Sequence, residues 1–142
     1  TAGDARLSKF RMTDGPYTLD GLTGNFETAL YETATSPIDI IRNEELILIW
    51  AEAKINTGSL ADGVTGLNII RNAAGIGDYV GDETEDALIN ELLSQRTYSI
   101  WGEGHHMFDL RRYDRLNSTF LPLDRVGDDV FTQFPIPLSE GQ

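Results

Sequence analysis

The chain contains no cysteine. This excludes a disulfide, a thiolate zinc site and a cysteine nucleophile. Long apolar runs are also missing, since none approaches the roughly 20 residues that a helix needs to span a bilayer. The first residues, "TAGDARLSKF", include no methionine and do not have the pattern of a signal peptide. We therefore expect the chain to have been cut from a longer one.

Basic residues are scarce: 11 lysines and arginines stand against 23 aspartates and glutamates, for a net charge of −12. A surface of this kind repels phosphate backbones and anionic headgroups, so nucleic acid is not an expected partner. It favours neutral ligands, cations or a basic partner protein. The length of 142 residues is typical of one domain.

The pattern along the chain predicts a mainly α fold with minor β structure and long loops, as a single domain over residues 1–142. Residues 1–42 are expected to be loop and strand, with "ARLSKFRM" as a short strand and "TDGPYTLDGLTG" rich in turn residues. A helical hairpin is predicted over 43–75 and further helices over 82–116. An extended tail follows over 117–142, because two prolines in "FPIPLSEGQ" forbid helix.

The predicted hairpin begins at Asn43, a favourable N-cap, and its first helix ends before Gly58. That helix is apolar over a wide face, so we expect it to be central, with Trp50 in the core. A second helix follows from Ser59. Gly63 and Gly66 within it allow close approach to the first helix. The remaining members of the apolar face are Leu46, Ile47, Ile49 and Ala53.

A third helix is predicted from "DETEDAL", where Asp82 and Glu85 have the spacing of a capping box. It continues to about Ile100, and Trp101 is expected in the core. Gly102 then helps to end it, and "HHMFDLRRYDRL" forms a shorter fourth helix.

The stretch "SIWGEGHHMFDLRRYDRL" carries chemistry that could form a site. Glu103, His105, His106 and Asp109 are possible metal ligands or acid–base groups. Adjacent histidines point to different faces of a helix, however, and no H-E-x-x-H pattern is present. The structural interpretation is therefore favoured: Asp109 pairs with Arg112 three residues on, and Glu103 pairs with an arginine such as Arg96, Arg111 or Arg112.

The segment "NEELILIWAEAKINTGSLADGVTGLNIIRNAAG" resembles one tetratricopeptide unit. Together with "QRTYSIWGEGHHMFDLRRY" and "FPIPLSE", it resembles the C-terminal half of the SusD/RagB family of bacteroidetes outer-membrane nutrient-binding lipoproteins. Four motifs, two of them within the first of these segments, occur in the order and spacing of that family. The chain departs from the pattern at Gln95, Ser99 and His106, where the family usually has two glutamates and an arginine. In that family the motif that corresponds to Arg96, Glu103, Asp109 and Arg112 belongs to the helical scaffold.

The resemblance implies a protein without catalytic residues, cofactor or metal, which binds an oligosaccharide or polysaccharide, or another nutrient oligomer, at the cell surface. It implies delivery to a TonB-dependent SusC-like transporter, at the outer membrane. Contact with the membrane would be only through a lipid anchor that this chain lacks. Two alternatives remain: a tetratricopeptide-like module for protein–protein interaction, and an enzyme built on the carboxylates and histidines.

Carbohydrate sites combine aromatic faces that stack on sugar rings with polar groups that bind hydroxyls. Tyr17 and Tyr31 lie in the polar, glycine-rich stretch before the first helix, and Tyr79 lies in "GIGDYVGD". These three tyrosines are the candidate ligand-binding residues. For each, the alternative is a loop tyrosine that packs on the scaffold.

Overall fold

The structure is a computed structural model, and it describes residues 3–133 and 136–137. It confirms the mainly α prediction. Within these residues, a short 3-10 helix precedes two strands and four helices. In order, the elements are the 3-10 helix Ala5–Lys9, β1 Phe10–Leu19, β2 Leu22–Thr28, α1 Asn43–Asn56, α2 Leu60–Ala73, α3 Glu85–Ser99 and α4 His106–Arg112.

The chain divides into two compact units, Thr1–Ile100 and Trp101–Gln142. The first unit contains both strands and the first three helices. The organisation of residues 1–142 as a single domain stays a prediction.

The predicted helical hairpin is present as α1 and α2. Its turn is set by Gly58, whose φ of +79° suits a residue without a Cβ. The Gly58 N–H donates to Ile55 O and the Ser59 N–H to Lys54 O, which together satisfy carbonyls at the end of α1. The two helices are therefore antiparallel neighbours.

The predicted caps were wrong in detail. Arg42, in extended conformation, is the N-cap of α1, and Asn43 is already helical. At α3 the cap is Thr84, whose hydroxyl accepts a hydrogen bond from the Ala87 N–H, so the capping box predicted from Asp82 does not begin the helix. Threonine is itself a good N-cap, and it lies next to the first helical residue.

Close packing of α1 on α2 depends on the two glycines, as predicted. A Cβ built on Gly66 would lie 2.8 Å from the Ala51 Cβ, and one built on Gly63 would lie 2.5 Å from Ile55 Cγ1. Both distances are shorter than real side chains allow.

α1 packs against both α2 and α3, which also pack against each other, so the three helices form one group and the central position of α1 stays a prediction. The core of the first unit is made by apolar side chains from all three helices. Its fully buried large members are Leu48, Ile55, Leu67, Leu88 and Leu92.

The burial of the apolar side chains on α1 differs from the prediction. Leu46, Ile49 and Trp50 are 41–49% exposed, so Trp50 is not a core residue. The Trp50 ring lies close to Gly66, since a Cβ built there would be 3.1 Å from two of its ring atoms, and the Lys54 ammonium lies 5.6 Å from the ring centroid. Because α1 is apolar on most sides, α2 and α3, which pack against it, leave part of its apolar surface exposed. Trp101 is half-buried in the turn after α3 and is not helical.

Residues 10–28 form a two-stranded antiparallel sheet where mostly turns were predicted. The residues around Gly15 are accommodated by an irregularity of β1 between Met12 and Tyr17. Asp20 and Gly21, both with positive φ, make the two-residue turn. An Asp-Gly turn between Leu19 and Leu22 is a strong hairpin signal. The predicted short strand from Ala5 is replaced by the 3-10 helix, and strand begins at Phe10.

The second unit contains α4, which follows two glycines of positive φ, Gly102 and Gly104. In the predicted tail, residues 117–133 and 136–137 form no helix or strand. The rest of "FPIPLSEGQ" lies outside the described residues.

Candidate functional site

A cavity of about 520 Å³ lies in the first unit, between the N-terminal segment, the end of α2 and one face of α3. Its volume falls within the range typical of small-ligand sites. The lining combines charged, polar and apolar side chains. It consists of Asp4, Arg6, Leu7, Phe10, Arg71, Ile76, Glu91, Ser94, Gln95 and Tyr98.

Arg6 holds the N-terminal segment against α3. Its Nε and Nη2 donate to the two carboxylate oxygens of Asp4, at 2.9 and 2.7 Å. Its Nη1 donates to Gln95 Oε1 at 2.6 Å and to Ser99 Oγ at 3.1 Å. The side-chain hydrogen bond from Arg6 lowers the pKa of Asp4 to about 2. The Asp4 carboxyl is therefore ionised at neutral pH.

A second ion pair forms the opposite part of the lining. Arg71 Nη1 donates to Glu91 Oε1, and Arg71 Nε donates to the Gly77 carbonyl at 2.9 Å. Gln95 Nε2 donates to the same Glu91 oxygen at 2.7 Å. Because Gln95 also accepts from Arg6, one continuous network of hydrogen bonds joins both ion pairs.

The aromatic part of the lining comes from Tyr98. Its side chain is 51% exposed, and the Arg6 guanidinium lies 5.5 Å from the ring centroid. Glu91, Gln95 and Tyr98 follow one another at spacings of four and three on α3, which places them on the same helical face. The arrangement can bind a polar ligand by hydrogen bonds and stack it on a ring.

The structure does not bring the three predicted tyrosines to this cavity. Tyr17 is exposed on β1 and Tyr31 in the loop after β2. The Tyr79 hydroxyl donates to the Asp82 carbonyl at 3.0 Å. Burial raises the pKa of Tyr79, and the negative charge of Glu91 raises it further. A ligand-binding role for the three tyrosines stays a prediction.

Sequence reasoning missed Arg6, Arg71, Glu91 and Tyr98 as site residues. The available signal was the spacing of Glu91, Gln95 and Tyr98 on one face of a predicted helix. Two of the three departures from the SusD/RagB pattern also fall at this site, since Gln95 and Ser99 both accept hydrogen bonds from Arg6.

The motif after α3 shows part of what its spacing predicted. Arg112 Nη2 donates to the buried Asp109 Oδ1 at 2.8 Å, which is the predicted pair. Arg96 is buried in α3, and Glu103 is half-buried in the following turn. Within residues 3–133 and 136–137, no three or more histidine and carboxylate side chains come together as a metal site. The scaffold role of Arg96, Glu103, Asp109 and Arg112 stays a prediction.

The comparisons with known proteins agree with this fold. A family model described as the SusD family matches residues 3–136. The chain therefore belongs to the SusD family, as its motifs predicted.

A solved structure of a SusD superfamily protein from Bacteroides vulgatus ATCC 8482 is similar to the chain, with 35% identity and a TM-score of 0.54. The similarity covers 56% of this chain and 17% of that protein, so the chain corresponds to a small part of its length. No curated protein matches the chain. Among the helices that the structure describes, none has the length and apolar character to cross a membrane.

Proposed function

We propose that the chain takes part in capture of a nutrient oligomer, in the first place a glycan, at the surface of a bacterium. The observation that carries this proposal is the match to the SusD family over residues 3–136. The captured ligand passes to a TonB-dependent SusC-like transporter of the outer membrane, where a lipid anchor holds the protein.

The cavity supports a binding role. The Asp4 carboxyl is held ionised, with its pKa lowered to about 2, by the hydrogen bond from Arg6. Such a group cannot donate a proton near neutral pH. Glu91 accepts hydrogen bonds from Arg71 and Gln95. Both carboxylates are thus held in place by neighbouring side chains, which suits a site that binds a polar ligand.

Affinity gels test the proposal. The chain should be retarded in native gels that contain one of a panel of soluble polysaccharides, for example a glucan, mannan, xylan or pectin. Incubation with the retarding polysaccharide should leave the polymer intact, as measured by chromatography of the products. Normal migration in every gel would argue against glycan capture by this chain, and released sugars would identify an enzyme.

Protein–protein interaction is a second candidate, favoured by the exposed apolar side chains of Leu46, Ile49 and Trp50 on α1. An apolar face of this kind can be covered by another part of the chain, such as residues 1–42, or by self-association. In the described structure the face stays open. Light scattering after gel filtration at several concentrations should then show self-association that Ile49→Ser weakens, while a monomer at all concentrations would contradict this role.

A further inference from the structure

The charges around the cavity balance. Two carboxylates, Asp4 and Glu91, face two guanidinium groups, Arg6 and Arg71. A charged ligand of either sign would meet two attractive and two repulsive groups, so the lining offers no net charge to favour it. A neutral polar ligand needs no such charge and can use the polar groups through hydrogen bonds alone. The net charge of −12 adds a general repulsion of anions.

The two ion pairs differ in the hydrogen bonds that remain for a ligand. Four of the five N–H groups of Arg6 are used within the site. Within the part of the chain that the structure describes, Arg71 uses only two, one to Glu91 and one to Gly77. Among the described residues, both partners of Glu91 bind Oε1, so Oε2 stays available.

The Arg71–Glu91 pair therefore presents spare donors and a spare acceptor side by side. A hydroxyl group both donates and accepts, so adjacent hydroxyls of a sugar match this pair. On the same face of α3, two helical turns or about 10 Å away, Tyr98 adds its ring and a hydroxyl. Polar groups beside an aromatic ring are the features that hold a sugar.

We propose that this cavity is a subsite for an uncharged oligosaccharide, in which Glu91 and Arg71 bind hydroxyl groups and Tyr98 contacts a ring. This inference rests on the proposed function and adds to it a location and a ligand class. It requires the cavity to discriminate against glycans that carry carboxylates.

Isothermal titration calorimetry of the full 142-residue chain tests the inference. The probes are neutral gluco-, manno- and xylo-oligosaccharides and, as the acidic counterpart, oligogalacturonate. We expect binding of a neutral oligosaccharide and weaker or no binding of oligogalacturonate. Glu91→Gln and Tyr98→Ala should each raise the Kd at least about tenfold, the equivalent of 1.4 kcal/mol.

Glu85→Gln is the matched control, because it makes the same change of charge on an exposed position of α3 outside the cavity. Its Kd should equal that of the unchanged chain. Tyr98→Phe, which keeps the ring, should bind more tightly than Tyr98→Ala. Circular dichroism of each variant establishes that it is folded.

The outcomes separate the two proposals. If a neutral oligosaccharide binds but Glu91→Gln and Tyr98→Ala bind it equally well, the subsite is wrong and glycan capture stands. If only oligogalacturonate binds, the ligand class is wrong. If no glycan binds in solution or in gels, the proposed function fails for this chain, and the subsite fails with it.

Discussion

The helical hairpin and the β-hairpin of the first unit have similar connections but differ in how far their side chains are buried. Each is a pair of antiparallel neighbours joined by a tight turn that contains a glycine of positive φ, Gly58 or Gly21. The helical hairpin buries side chains such as Leu48 and Leu67 completely. On the β-hairpin, large apolar side chains such as Phe26 stay mostly exposed.

The β-hairpin has two distinct faces. One face is polar and has cross-strand hydrogen bonds between Arg11 and Glu27 and between the hydroxyls of Thr18 and Thr23. The other face carries apolar side chains, which are exposed. They are Met12, Tyr17, Leu19, Leu22 and Phe26.

This difference shows that a turn sets up a hairpin, whereas a third element is needed to bury it. α3 packs against both α1 and α2 and closes the helical core. Among the described elements, β1 and β2 form a sheet of two strands only. Two-stranded hairpins alone are marginally stable in water. The stability of the first unit should therefore depend on the helices, and substitutions can test this.

The largest effect is expected at Leu48, whose side chain is fully buried on α1. Leu48→Ala should lower the free energy of unfolding by about 2–5 kcal/mol, through lost burial and the cavity it leaves. Leu46→Ala is the matched control on the same helix, because Leu46 is 49% exposed. Urea unfolding followed by circular dichroism should give it less than half the effect, and equal effects would contradict the assigned core.

A comparison of two glycines tests the packing of each hairpin. Gly66→Ala should destabilise by about 1–3 kcal/mol despite the better helix propensity of alanine, because backbone or side chains must shift. The new Cβ would approach the Ala51 Cβ to 2.8 Å. Gly24→Ala on β2 meets nothing within 4 Å and should be neutral or stabilising. A stabilising Gly66→Ala in chemical unfolding would show that the helices are less closely packed.

Trp50→Ala should have a smaller effect than its expected core position implied. A fully buried tryptophan costs about 3–5 kcal/mol on truncation. Since Trp50 is 41% exposed, we expect about 1–2 kcal/mol, mostly from lost contact with Gly66. The measurement is the midpoint and slope of urea unfolding. A loss above about 3 kcal/mol would restore the core assignment.

The smallest effect concerns pH. The pKa of Asp4 is lowered from 3.8 to about 2 in the folded chain, so its contribution is present above the unfolded pKa. That contribution is lost as the pH falls from about 4 to 2, because the unfolded chain then binds the proton first. Solvent screening near the surface limits it to about 1 kcal/mol or less.

Unfolding free energies at pH 5 and pH 2.5 should therefore differ less for Asp4→Asn than for the unchanged chain. An identical difference in both proteins would show that Asp4 does not couple stability to pH.

The local features of the helices were predictable from short stretches of sequence. Gly58 ends α1, and Gly63 and Gly66 bring α2 close to it, as their positions indicated. Helix starts were missed by one or two residues, because Arg42 and Thr84 take the cap positions next to the favoured residues. The β-hairpin was missed because turn residues around Gly15 lie inside an irregular strand.

The candidate site was less accessible to sequence reasoning. Its defining contact joins Arg6 to Gln95 across 89 positions of the chain. No local pattern marks such a pair, since each residue alone is an ordinary polar side chain. The aromatic signal favoured tyrosines in polar loops, whereas Tyr98 lies on a helix that also supplies the core.

The sequence by itself determined the mainly helical fold, the turn of the helical hairpin and membership of the SusD family. These depend on residue spacings and on the conformational freedom of single glycines, which act over a few positions. Only the tertiary structure decided that Leu48 is buried while Trp50 is exposed, and that Arg6 closes a cavity on α3. Burial and charge pairing depend on which distant surfaces meet, and that is a property of the whole packed unit.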